Sequence, residues 1–194
     1  LVRDYGCDSL RMYELFVGPP ELDAEWDDRG IDGVNRFLKR LWTLLMDSKD
    51  QDIKASKEMI KLRHRMVYDI TTRLESFSLN TVISGFMEYN NKFIELAKKE
   101  GGIDKETLET IAVLISPFAP HFAEEMWEQL GHTETVFKAG WPAYDEEAMK
   151  DDEIQIPVQI NGKTKAVVSI SAEASKEDAI AAGKEAVAGK LTGN

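Results

Sequence analysis

Three histidines, one cysteine and many carboxylates are the side chains here that could take part in acid–base, nucleophilic or metal chemistry. Cys7 stands beside Asp8 at a predicted helix start; the helix N-terminus favours a thiolate, the adjacent acid opposes it, and an inert thiol is expected. His121 follows Pro120 and precedes Glu124 and Glu125, an arrangement that suits acid–base work or part of a metal site. With no second ligand cluster nearby, a capping or packing role accounts for it better. His64 lies among Lys61, Arg63 and Arg65, where it could share a phosphate contact. The acidic runs 145–147 and 151–153 are too crowded to leave water and read as solvated loops. The chain carries no phosphate-loop signature, no dinucleotide-binding glycine pattern, no zinc-protease motif and no nucleophile elbow. No catalytic residue and no metal ligand set is therefore expected.

Charge distribution is more informative. The 194 residues hold 24 Lys and Arg against 35 Asp and Glu, a net charge of -11 that argues against a uniformly nucleic-acid-binding surface. Between residues 36 and 65, however, nine basic side chains face four acidic ones. Arg36, Lys39 and Arg40 fall at i, i+3, i+4, and Lys57, Lys61 and Arg65 at i, i+4, i+8, so each trio shares one helix face. Two such stripes could line a groove for a phosphate backbone, each contact adding a salt-dependent term. They would equally serve as the solvated faces of two amphipathic helices. Lys163 and Lys165, adjacent on one face of a predicted strand, are a weaker case of the same kind.

The elements that must carry these residues follow from periodicity. Leu10, Tyr13 and Val17 form a helical stripe that Gly18-Pro19-Pro20 ends. From Ile31, apolar residues recur at Val34, Phe37, Leu38, Leu41, Trp42 and Leu45, with Asp28 or Asp32 as candidate cap. Further helices are predicted over 56–75, from about Asn80 to Gly101-Gly102, from an Asp104 cap to Ser116-Pro117, and from Pro120 to Gly131. Long amphipathic helices with short connections predict an antiparallel bundle. Near Ile154 the period changes to two: Ile154, Ile156, Val158 and Ile160 alternate, Asn161-Gly162 suits a type I′ turn, and Ala166, Val168 and Ile170 alternate again. Ser175 and Asp178 then form a capping-box pattern before an Ala-rich helix reaching about Leu191. The expected fold class is mainly α, a helical bundle followed by a small, incomplete α+β piece of hairpin plus helix. The lone cysteine excludes an intrachain disulfide, and no apolar run approaches the ~18 residues needed to cross a bilayer.

Several strings turn this anonymous pattern into a resemblance. SPFAPHFAEEMWEQLG from Ser116 resembles the anticodon-binding signature of class I aminoacyl-tRNA synthetases of the leucine, isoleucine and valine group. YGCDSLRMYELFVGPPE from Tyr5, VNRFLKRLW from Val34, LNTVISGFMEYNN from Leu79, WPAYDEEAM from Trp141 and IPVQINGKTKAVV from Ile156 narrow it to the bacterial-type leucyl-tRNA synthetase family. The resemblance implies a stem-contact linker over 1–29, an anticodon-binding bundle over 30–150, and over 151–194 the start of a C-terminal tRNA-binding domain, truncated before its last two strands. It implies a cytoplasmic, monomeric ligase fragment that binds tRNA(Leu) without membrane contact. Leucine, ATP and magnesium would be handled by the catalytic part of the parent, upstream, leaving the fragment without cofactor or activity. With tRNA as the expected partner, the basic residues singled out above by their spacing, Arg36, Lys39, Arg40, Lys57, Lys61, Arg65, Lys163 and Lys165, are the candidates to face it.

Departures from the family pattern are Cys7, where a small Ala is usual, and Tyr68 and Asp69, where a Lys pair is frequent; the latter lowers the charge available to tRNA. The valine and isoleucine enzymes are rivals disfavoured by the Trp141 to Met149 and Ile154 to Val168 segments. A helical protein-interaction module using its acidic surface is the rival from a different class.

Overall fold

The computed structural model describes residues 1–19, 21–23, 25–151, 153–160, 163–171 and 174–188. Its backbone divides into two compact units, Leu1–Met149 and Lys150–Asn194.

The first unit is helical: α1 (Val2–Tyr5), α2 (Cys7–Phe16), α3 (Ile31–Ser48), α4 (Lys57–Glu75), α5 (Leu79–Glu100), α6 (Lys105–Ile115) and α7 (Pro120–Gln129), with 3-10 turns at Asp28–Gly30 and Val136–Lys138. Helix α5 is the hub, packing against α2, α3 and α4, while α6 joins α4 to α7. The helical apolar stripes form the core: Val34, Phe37, Leu41 and Leu45 of α3, Val67 and Ile70 of α4, and Ile83, Phe86 and Phe93 of α5 are buried, joined by Met66 and Val82, while Ile60, Leu74, Met87 and Ile94 are half-buried. Burying such side chains contributes about 1.5–3 kcal/mol each and outweighs the modest propensities of these helices.

Helix ends follow local chemistry. Ser56 caps α4 by accepting the Met59 amide, and its hydroxyl also donates to Glu100 at 2.7 Å, fastening the start of α4 to the end of α5. Asp104 caps α6 through the Thr107 amide. Gly101 ends α5 in the left-handed region, at φ 86°, where a side chain would be strained. Gly85, in mid-α5, has a different reason: a Cβ there would stand 2.6 Å from the Arg73 guanidinium, which crosses this point to donate to the Thr81 carbonyl at 2.7 Å.

Two expectations need correction. The cap ahead of α3 is neither Asp28 nor Asp32 but Asp27, which accepts the Arg29 amide and serves the 3-10 turn instead; α3 itself starts without a side-chain cap. In α2 the buried face is Asp8, Ser9, Met12 and Tyr13, leaving Leu10 and Val17 half-buried, because α2 presents its N-terminal polar residues to α7. In the second unit, Ile180 is exposed.

That second unit pairs β1 (Glu153–Ile160) antiparallel with β2 (Lys163–Ser171) and packs α8 (Lys176–Val187) on them, mostly on β2. Ser175 and Asp178 close the predicted capping box. The register slips between Val158 and Gln159, with Lys165 the extra residue between Thr164 and Ala166. The Asn161-Gly162 turn and Leu191 lie outside the described residues.

Candidate nucleic-acid interface

The exposed edge of α3 follows from its buried one. With Val34, Phe37, Leu38 and Leu41 turned into the core, Arg36, Lys39 and Arg40 are left exposed together, as their spacing requires. Lys39 borders an open cavity of about 720 Å³ whose other walls are α2 and α7. Arg40 faces the other way, into a groove of about 440 Å³ whose far wall is the end of α5, with Lys98, Gly101 and Gly102. The grooves along α3 are thus walled by its packing partners α2, α5 and α7, and α4 lines neither of these two.

Along α4, Lys57 is exposed, whereas Lys61 and Arg65 are half-buried. An extended segment covers this face one helical turn after another. Arg65 Nε donates to the Met149 carbonyl at 3.0 Å, the Asp145 amide donates to His64 Nδ1 at 3.1 Å, Tyr68 meets the Tyr144 ring edge-on at 5.1 Å, and Trp141 Nε1 donates to Thr71 at 2.9 Å. His64 therefore accepts through Nδ1 and anchors protein backbone there. The residues 141–149, read from sequence partly as a solvated loop, form a strap. Asp145, Glu146 and Glu147 are exposed on it.

Arg63, counted with the basic band, is buried. It reaches Asp104 at 3.3 Å and Glu106 at 3.0 Å, so its charge is neutralised inside the bundle and is no part of a surface. Its place in the sequence carried the signal: Met59, Arg63, Met66 and Ile70 share the inward face of α4. Asp69, one of the departures from the family pattern, accepts the Tyr89 hydroxyl; burial and this carboxylate push the Tyr89 ionisation well above its usual range. Tyr68, the other, is part of the strap contact.

Sequence reasoning passed over two cations. Lys98 and Lys99 occupy the last turn of α5, where basic residues usually complement the helix dipole. Here Lys98 shares the groove with Arg40, and Lys99 lies 4.0 Å from Glu58, the neighbour of Lys57. Lys163 and Lys165 are exposed on β2 in the second unit.

The other candidates resolve into structure. His121 Nδ1 lies 2.9 Å from Asp8, whose second oxygen accepts the Phe122 amide. Cys7 is a free, exposed thiol. Among the described residues no three His, Cys, Asp or Glu side chains are grouped to hold a metal, and no helix is long and apolar enough to cross a membrane.

Residues 56–180 match the family described as the anticodon-binding domain of tRNA ligase. The leucine–tRNA ligase of Fervidobacterium nodosum is 42% identical over 194 residues, covering 92% of this chain and 24% of the relative. That of Chlorobaculum parvum is 40% identical over 200 residues, covering 100% of this chain and 24% of the relative. The chain thus spans about a quarter of the length of these curated relatives. Among solved structures, LeuRS of Agrobacterium radiobacter K84 (agnB2), in a ternary complex with tRNA and LeuAMS, superposes with a TM-score of 0.80 at 25% identity, covering 98% of this chain and 26% of that one.

Proposed function

This chain belongs to the anticodon-binding domain family of tRNA ligases, and from that premise we propose that it is the tRNA-binding portion of a leucine–tRNA ligase. Its bundle grips the body of tRNA(Leu) through phosphates and so steers the acceptor end to catalytic machinery elsewhere in the parent. The observation that carries this reading is the likeness, along 98% of the chain, to LeuRS held in complex with tRNA. Identity near 40% to leucine–tRNA ligases favours leucine over valine or isoleucine and a ligase over a protein-interaction module.

The parent reaction in this reading is ATP-dependent activation of leucine followed by ester transfer to tRNA, with ATP and magnesium bound outside this sequence. The part played by these residues is electrostatic: each Lys or Arg that neutralises a phosphate releases counterions, and log K then falls with log salt by about 0.9 per duplex phosphate. Of the eight sequence candidates, exposed Arg36, Lys39, Arg40, Lys57, Lys163 and Lys165 are the residues proposed for it, while Lys61 and Arg65 are half-buried on α4. The chain is proposed to work as a cytoplasmic monomer and to catalyse nothing by itself.

A filter-binding titration against salt tests the reading, with tRNA(Leu) beside an unrelated RNA of equal length. Steeply salt-dependent binding that prefers tRNA(Leu) is expected, weakened when Arg36 and Arg40 are both changed to Glu. Equal, shallow binding of both RNAs would sink it in favour of the protein-interaction module. Leucine-dependent pyrophosphate exchange above a no-protein control would refute the inactivity of the chain.

A further inference from the structure

The two basic stripes are tied together at one end of the bundle. Arg40 borders the groove walled by the last turn of α5, which Lys98 and the carboxylate of Asp47 also line. Lys99, next on α5, lies 4.0 Å from Glu58 on the first turn of α4, beside Lys57. The Ser56 to Glu100 hydrogen bond of 2.7 Å holds these two helix ends in contact, and Gly101 and Gly102 leave the rim of the groove without side chains. Arg40, Lys57, Lys98 and Lys99 are all exposed. Farther along α4 the situation differs: His64 and Arg65 are hydrogen-bonded to the backbone of the strap, which carries Asp145, Glu146 and Glu147 over that region. A phosphate approaching there would meet an arginine already bonded to backbone and a row of like charges.

We propose that the RNA backbone crosses the C-terminal end of α5, contacting Arg40, Lys98, Lys99 and Lys57, and leaves the strapped half of α4 untouched. This rests on the tRNA-binding reading and sharpens it. It adds Lys98 and Lys99 to the phosphate-contacting set and leaves the half-buried Lys61 and Arg65 out of it. Like any path of surface cations, it predicts a contribution to affinity that reads no base and is graded in salt.

The test is tRNA(Leu) binding against salt for three forms of the chain: unaltered, Lys98→Gln with Lys99→Gln, and Lys61→Gln with Lys138→Gln. The Lys61 and Lys138 pair removes two positive charges as well, so net charge alone cannot explain a difference. Removing two phosphate contacts is expected to reduce the slope of log K on log salt by about 1.8 and to weaken binding about tenfold or more at low salt. The Lys61 and Lys138 variant should keep the slope. Thermal midpoints equal to that of the unaltered chain establish that all forms are folded. An unchanged slope for the Lys98 and Lys99 variant, or a slope reduced as much in the other, overturns the path while leaving the tRNA-binding reading standing. Absence of salt-dependent binding by the unaltered chain overturns both.

Discussion

The Asp8 carboxylate accepts the Phe122 amide at 2.7 Å from 114 residues away along the chain. Phe122 is in the first turn of α7, whose own N-cap, Ala119, has no side chain able to bond an orphan amide. Asp8, itself at the start of α2, supplies the missing acceptor, and its other oxygen lies 2.9 Å from His121 Nδ1. The histidine whose place ahead of Glu124 and Glu125 suggests acid–base chemistry in the sequence thus stands instead at a helix cap supplied by another helix. Replacing Asp8 with Ala should lower stability by about 1–2 kcal/mol, the usual loss for a cap. Asn, which retains the acceptor oxygen, should recover most of it. Urea unfolding would measure both, and an Asp8→Ala variant as stable as the parent would refute the cap.

Arg63 offers a sharper contrast between charge that holds the fold and charge that faces solvent. It is buried against Asp104, which also caps α6, so removing it leaves a buried carboxylate with its cation gone. Arg63→Met should cost about 3 kcal/mol or more, whereas Lys57→Met at the exposed start of the same helix should stay within about 0.5 kcal/mol. Equal unfolding midpoints for the two variants would show the buried pair to be without consequence.

What the sequence disclosed and what it hid divide along the same line. The apolar stripes of α3, α4 and α5 and the caps Asp104 and Ser175 are local signals, set by periods of 3.6 and by side chains bonding amides three residues on. The cap on α7, the Arg63 ion pair and the strap on α4 join residues 41 to 114 positions apart. No window along the chain contains both partners of such a pair. The candidate interface suffers most from this. The α3 and α4 stripes were readable as faces, but spacing cannot say that a distant segment covers one and that the end of α5 borders the other.

Tyr89 makes the packing of α5 on α4 sensitive to alkali. Its buried hydroxyl donates to Asp69, and burial and that carboxylate raise its ionisation above the ordinary value of 10.0. The neutral phenol is therefore favoured in the fold. Its contribution is complete below pH 10 and is lost as pH climbs toward the higher folded-state value, because the unfolded chain releases this proton first. The stability difference between the parent and Tyr89→Phe should be constant from pH 7 to about 9.5 and then shrink by up to about 1.4 kcal/mol per pH unit. Guanidinium unfolding at stepped pH gives that difference, and a constant gap through pH 11 would mean that Tyr89 ionises alike in both states.

The second unit should be the weaker of the two. Among its described residues, two strands form the whole sheet, so both strands are edges, and one helix covers them. Of the large side chains in that helix, Val187 is buried while Ile180 stays exposed. At ~0.8 kcal/mol per buried CH₂, a face made chiefly of alanine and glycine contributes little against the ~1–2 kcal/mol per residue lost in ordering the backbone. Isolated hairpins are marginal in water for the same reason. Val167 compounds this, since it lies on the exposed face of β2 opposite Pro157, a residue without an amide to donate. The bundle, with buried residues contributed by every helix from α2 to α7, has no such deficit. Hydrogen exchange should therefore release the Val158 and Val167 amides by local opening, at free energies well below those of Phe37 and Ile83, whose exchange should track unfolding of the bundle. Equal protection at all four amides in a dilute monomer would show that the hairpin and helix are as firmly folded as the bundle.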